Sequence, residues 1–498
     1  MSDDAGVVFP LDPASGRRST SSTGRAVVAD ALRVVDPVGA ASAERETAWR
    51  QGYVPHFVRL VEAGLASSEA ARAIAEAGLE SLHRRIRWAS EDEDAPLAEA
   101  FADTSGDELD RETVRGTGTP ERTLTIPYAG ARLGGDDLRR QLDTWVVAGT
   151  IEPTCRDAVS LVLDNPDWLD LSDRTMVVLG AAAEMGPLRA LLRWGADVAA
   201  VDLPRPDLWA RLLRDTRALA GSVTVPVRTG TGIPAQTGHA EGVEDRAGVD
   251  LLRDLARVAR WVEAIDGPIA LGNYVYADGA TNVRVSMAVD ALTQHLSATR
   301  DDLALAFLAT PTDVFAVPGA DVERSSRSYA ERRTSTLLRI PLRTVSGGRL
   351  LRRSYVPGQD PGIADSTVPQ QGPNYLLAKR LQRWRATSHR ASGGLVSFKV
   401  APPTRTRSVV KNRALAAAYA GAHRFGIEVF EPGTANTLMA ALLVHDLRTG
   451  GVTPPTAGPA SPWQDEAYAA AHGGLWTCAY APRSALGIAA LLGLASAR

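Results

Sequence analysis

The stretch "TMVVLGAAAEMGPLRALLRWGADVAAVD", residues 175–202, decides the fold class. "TMVVLG" is a short apolar run closed by glycine, the pattern of a buried strand. "GPLRALLRWG" (186–195) has helical apolar spacing, with Pro187 suited to a first turn. "ADVAAVD" (196–202) is a second buried strand. The same grammar then repeats, with strands read at "SVTVPV" (222–227), "PIALGNYV" (268–275), "LALAFLAT" (303–310), "GLVSFKVA" (394–401) and "GIEVFEP" (426–432). Helical patterns separate them. Such alternation predicts an α/β fold: a doubly wound parallel sheet of about seven strands with helices on both faces.

The remaining chain divides around that core. Residues 1–45 mix Ser, Gly, Arg and Asp and read as a mobile lead-in. Residues 46–170 read as a helical accessory unit, interrupted by the acidic stretch "ASEDEDAPLAEAFADTSGDELDRE" (89–112), taken as a solvated surface or linker. The sheet domain spans 171–450, with an insertion at 313–372, and 451–498 form a C-terminal extension. The apolar end of that extension is expected to pack on the core or on a second subunit, which would make a homo-oligomer.

Composition narrows the function classes. Net charge is −3 and apolar residues make up 45%, which argues against a general nucleic-acid footprint and for a soluble globular chain. No segment has the roughly 18 continuous apolar residues of a membrane span. The start, "MSDDAGVVFPLDP", lacks an apolar signal core, and Cys155 and Cys478 form no disulfide framework. A cytoplasmic location is the expectation. The eight histidines show no metal-ligand spacing, so no metal is expected. His239, after the third strand, reads as a loop histidine.

The first strand–turn–helix unit carries the first chemistry. Gly180 ends a strand and Gly186 opens a helix, the setting in which backbone N–H groups and the helix dipole face a pyrophosphate. Ala181, Glu184 and Met185 complete the turn, Glu184 standing where a dinucleotide turn usually has a glycine. Asp202 closes the second strand, placed to accept ribose hydroxyls, and Arg205 is near enough to meet a 2′-phosphate. The cofactor expected is therefore NAD or NADP.

The second chemistry lies in "GPNYLLAKRLQRWR" (372–385). All but three of the 55 basic residues are arginine, and Lys379 is one of the three. It follows Tyr375 by four positions, so both share one face of a helix. A free phenol has a pKa of about 10, too high for rapid proton exchange near neutrality. An adjacent ammonium would lower it, and a compact Lys does this where the broad Arg fork would not.

With these motifs in order, residues 174–447 resemble the short-chain dehydrogenase/reductase superfamily. "LGAAAEMG" (179–186) is similar to the family's TGxxxGxG turn, and "EAIDGPIALGNYVYADGA" to its segment around the fourth strand. The resemblance implies a nicotinamide cofactor held by Gly180, Ala181, Glu184, Met185, Gly186, Asp202, Arg205, Asn273, Lys379 and Thr404, with Thr406 as a neighbouring candidate. It implies Tyr375 as proton donor or acceptor assisted by Lys379, and Asn282 as the supporting amide. The family's catalytic serine corresponds to Thr310 or Thr312 in "ATPTD", or to Ser366, nine residues before Tyr375. The expected reaction is hydride transfer to or from a carbonyl or alcohol. A methyltransferase using S-adenosylmethionine, or a non-catalytic dinucleotide-binding protein, would show the same turn and acid. The insertion carries nine arginines from Arg324 to Arg353 and reads as a lid meeting an anionic or bulky small-molecule substrate.

Overall fold

The computed structural model describes all residues except 1–4, 13–14, 91–93, 103–107, 229–241, 332–339, 369, 452–460 and 497–498. Seven strands form the central sheet and are numbered in chain order: β1 (Leu109–Arg115), β2 (Thr175–Leu179), β3 (Asp197–Val201), β4 (Ser222–Arg228), β5 (Ile269–Asn273), β6 (Leu303–Ala309) and β7 (Val396–Val400). Their spatial order is β7-β6-β5-β2-β3-β4-β1. All neighbours are parallel except β1, which runs antiparallel to β4. The chain winds from β2 to β4 in one direction, then returns to the other side of β2 for β5, β6 and β7. That reversal opens a crevice at the carboxyl ends of β2 and β5.

Alternate strand residues feed two cores. Val177, Leu179, Leu271 and Phe307 face one apolar cluster, and Met176, Val178, Ala270 and Ala306 the other. The first is covered by the helices Leu255–Glu263, Gly279–Thr299 and Gly372–Ala391. Helices Leu188–Trp194, Pro206–Arg217 and Pro432–Thr449 cover the second. The α/β class with helices on both faces is as the sequence predicts.

Three expectations are corrected. Residues 1–45 are not a loose lead-in: they supply the strand Gly6–Val8 and helices Thr20–Arg33 and Pro37–Glu44, with Val7, Val28 and Leu32 fully buried. Nor do residues 46–170 form a separate unit. Helices Trp49–Gly64 and Ser68–Arg85 bury their apolar faces in the first core, while Gly135–Ala148 and Pro153–Asp164 join the second. The seventh strand is the third correction. "GIEVFEP" makes only an isolated bridge from Phe430 to Thr404, and the outer side of β7 receives the Ala471 N–H instead. The seventh strand is β1, drawn from the acidic stretch, and it pairs with β4 along its whole length. Charged residues suit an edge strand, which is why its sequence looked like linker.

The insertion is more than a lid. Its strands Val314–Val317 and Gly362–Asp365 pair antiparallel, and Phe315, Val317 and Val322 belong to the first core.

The helix carrying Tyr375 is seated against Ser68–Arg85, where the Trp384 ring lies on Gly78: a Cβ there would stand 2.4 Å from Cζ3 of Trp384. Gly78→Val is expected to overpack this contact and cost about 1–3 kcal/mol in urea unfolding. An unchanged midpoint would refute the assigned contact.

Candidate functional site

The loop after β6 and the start of the Gly372–Ala391 helix bring a hydroxyl group together. The Tyr375 phenol lies beside Thr310, whose Oγ1 is 2.8 Å from that of Thr312. Gln371 Nε2 donates to Thr312 at 2.8 Å. The Tyr276 ring meets Tyr375 edge-on, 6.3 Å between centroids. Thr310 thus lies beside Tyr375 across the long insertion, and Thr312 is held by Thr310 and Gln371. Ser366 lies close by, its N–H donating to the Asp313 carbonyl, and its buried hydroxyl has no partner among the described residues.

Lys379 departs from the expectation. Its Nζ donates to the Leu308 carbonyl on β6 (3.0 Å) and to Oε1 of Gln382 (3.1 Å). Gln382 Nε2 in turn donates to Oδ1 of Asn273 at 3.3 Å. Burial pushes the amine down to about 8. The phenol is raised above its ordinary value by burial, eased by Thr310, with Tyr419, Tyr276 and Asp313 adding to the rise. Lys379 is not among the principal groups acting on it. The expected lowering of the phenol by the ammonium is therefore replaced by a neutral phenol on Thr310, with the lysine joined to Gln382 and Asn273.

At the crevice, Gly180 has φ +80, and a Cβ there would lie 2.9 Å from the Tyr274 backbone. Tyr274 N–H donates to the Leu179 carbonyl, so β2 and β5 meet backbone to backbone at this point. Gly180 and Ala181 both donate to the Val201 carbonyl, while Ala183 and Gly186 bond within the turn. Asp202 accepts the N–H groups of Ala182 and Leu203, both at 2.8 Å, and burial raises its carboxyl. A carboxylate has about four lone-pair sites, so about two remain. Glu184 turns outward: its carboxylate accepts the Arg407 N–H at 2.8 Å and faces the Arg407 guanidinium at 3.2 Å. That removes the repulsion a carboxylate in this turn would exert on a phosphate. Met185 borders a small space beside Tyr274 and Pro187.

The other expected residues are placed as follows. Asn282 accepts the Ala277 N–H at 3.1 Å and fixes the loop after β5. Thr404 is buried and donates to the Pro402 carbonyl at 2.8 Å. Thr406 meets Ser408 at 3.0 Å. Arg205 is paired with Asp207 at the surface. His239 lies outside the described residues. The chain matches no family model. No curated protein matches it either.

Sequence reading missed Gln371, Gln382, Tyr276 and Tyr419. Gln382 had a signal, since it stands three residues after Lys379 on the same helical face. It also missed a buried group of Glu152, Asp321 and His472, whose side-chain ligand atoms lie within 4.8 Å of one another. Burial pushes Glu152 up to about 7 and His472 down to about 4. His472 Nδ1 accepts the Gly474 N–H, which leaves the proton on Nε2, 2.9 Å from Glu152. The group is arranged around protons.

Lys379 yields a stability prediction. Its folded pKa is depressed from 10.5 to about 8, so the folded chain binds fewer protons than the unfolded chain across that interval. Stability from this group therefore rises with pH from about 8 to 10.5, and its penalty is greatest below. Lys379→Met is expected to melt higher near neutral pH and to lose that alkaline gain. A variant with the parent's pH profile would contradict this.

Proposed function

We propose that the chain is a nicotinamide-dependent oxidoreductase acting on a carbonyl compound, with Tyr375 as proton donor. The observation that carries this reading is the position of Tyr375 beside Thr310, in the loop after β6, with Lys379 one turn further along the helix. The strand order supports a Rossmann-like fold, since its winding reverses beside β2 as in dinucleotide-binding sheets. It also disfavours the methyltransferase reading, because β6 and β7 are direct parallel neighbours.

The turn fits the cofactor in three respects: Glu184 faces outward, Asp202 is oriented with lone pairs left, and Gly180 allows the close approach of β5. The Met185 N–H and the Asp202 carboxylate would hold its pyrophosphate and ribose, and Lys379 would donate to the second ribose with its remaining N–H. The bound nicotinamide supplies or accepts the hydride. The residues of the chain do the rest. Thr310 and Thr312 orient the substrate oxygen, and Tyr375 gives its proton to the oxygen as negative charge develops.

The test is a thermal-shift comparison of NAD, NADP and S-adenosylmethionine, in which a ligand at 100 times its dissociation constant stabilises by about 2.7 kcal/mol. A shift with a nicotinamide cofactor is expected, and a shift with S-adenosylmethionine alone would sink the proposal. Once turnover is found, Tyr375→Phe is expected to cut kcat at least about 100-fold while keeping the cofactor shift. Full activity in that variant would remove Tyr375 from the reaction.

A further inference from the structure

A partly open cavity with about 570 Å³ of empty space lies where the insertion meets the C-terminal extension. Arg352 and Arg353 line it from one segment of the insertion, Asp365 and Ser366 from the end of the strand Gly362–Asp365 and the residue after it. Pro482 and Arg483 line it from the start of the helix Pro482–Ser496. The backbone fixes this wall. Leu351 N–H donates to the Ser484 carbonyl at 3.2 Å, and Arg352 N–H to Oγ of Ser484 at 3.0 Å. Ala481 N–H donates to the Arg352 carbonyl at 2.8 Å, and Arg353 forms an antiparallel bridge with Tyr480. The two segments are thus joined before anything binds, which lowers the ordering cost of a ligand.

Charge then selects the ligand. Three guanidinium groups against one carboxylate leave two positive charges on the wall. The carboxylate is already engaged: one oxygen of Asp365 pairs with Arg483 at 3.0 Å, and the other accepts the Thr367 N–H at 3.2 Å and the Thr367 hydroxyl at 2.6 Å. Arg352 and Arg353 have no acidic partner among the described residues, and the Arg353 guanidinium lies 4.6 Å from the centre of the Tyr329 ring. Ser366 is 2% exposed, and its hydroxyl has no partner among the described residues. A buried hydroxyl left unpaired is destabilising, and folded proteins keep few of them. The matching ligand carries two negative charges and accepts hydrogen bonds from planar forks and from a hydroxyl. A phosphate monoester does this above its second ionisation, at a pH of about 6. The rest of the wall, with Ile363, Ala364 and Leu475, is apolar and seats an organic substituent.

We propose that this cavity binds a small phosphate monoester, its dianionic phosphate held by Arg352, Arg353 and Arg483 and accepting the Ser366 O–H. The site uses neither the nicotinamide turn nor Tyr375, so it stands apart from the oxidoreductase reading.

Calorimetric titration of the full chain at pH 8 and constant ionic strength tests it, with phenyl phosphate, phenyl sulfate, phthalate and phenol as probes. Phenyl sulfate has nearly the shape of phenyl phosphate and one negative charge fewer, and phthalate is a dianion without phosphate. Phenyl phosphate is expected to bind at least about tenfold more tightly than each of the other three. Arg352→Gln should weaken it at least about fivefold, and Arg352→Lys should weaken it less. Ser366→Ala should also weaken it, yet melt no lower than the parent without ligand, because the hydroxyl it removes has no partner to lose. Circular dichroism checks that each variant is folded. No saturable binding of phenyl phosphate, or binding no tighter than that of phenyl sulfate or phthalate, overturns the proposal. Phenyl phosphate binding that neither Arg352→Gln nor Ser366→Ala changes lies elsewhere on the chain, and overturns it too.

Discussion

The carboxylate of Asp313 is the point on which the Tyr375 helix is registered against the sheet. It is 1% exposed and lies 3.1 Å from Arg383 and 3.4 Å from Arg380, both buried. Arg383 also donates to the Val314 carbonyl and pairs with Glu466 from the C-terminal extension. One guanidinium thus joins the end of β6, the helix and the extension. A buried ion pair of this kind is not in itself a large source of stability, because desolvation offsets much of the attraction. Its consequence is positional. Removing the acid would leave buried Arg380 without an ion-pair partner and Arg383 with Glu466 alone, so the acid holds the helix in the seat where Tyr375 meets Thr310.

That constraint explains why a long insertion leaves the Tyr–Thr pairing intact. The insertion leaves the sheet at Asp313 and returns through the strand Gly362–Asp365, which pairs with Val314–Val317. Its two ends are therefore held side by side, and the intervening chain can grow without moving the hydroxyls. Loop closure costs only about 0.6 kcal/mol for each doubling of length. The insertion and the C-terminal helix then enclose the space that a shorter chain would leave open at the sheet edge.

Much of the fold was legible because parallel strands buried on both faces read as continuous apolar runs. "TMVVL" and "LALAFLA" are such runs. The strand β1 was not legible: "LDRETVR" is charged, and its pairing with β4 depends on backbone bonds that any side chains permit. "GIEVFEP" failed for the opposite reason. Its alternation suits a strand, but the neighbouring edge of β7 is already met by Ala471. Helical periodicity made legible the placing of Tyr375 and Lys379 one turn apart on a helix. Nothing was legible where separate segments converge, as at Arg483 beside Asp365, because sequence spacing carries no trace of that contact.

The lysines sharpen the point. Lys399 is also buried, but it pairs with Asp446 at 3.1 Å and lies 4.6 Å from the centre of the Tyr468 ring. It has the partners a buried cation requires. Lys379 has two neutral acceptors and, among the described residues, no carboxylate within ion-pair distance. Burial accordingly depresses its pKa, and the folded chain retains an amine it could replace with a leucine at lower cost. Arginine, which dominates the composition, would hold its charge there regardless of pH and would be costlier still to bury unpaired. A lysine kept in such a place indicates a demand other than stability, and a third N–H left over from Leu308 and Gln382 is the feature that a bound anion or hydroxyl would use.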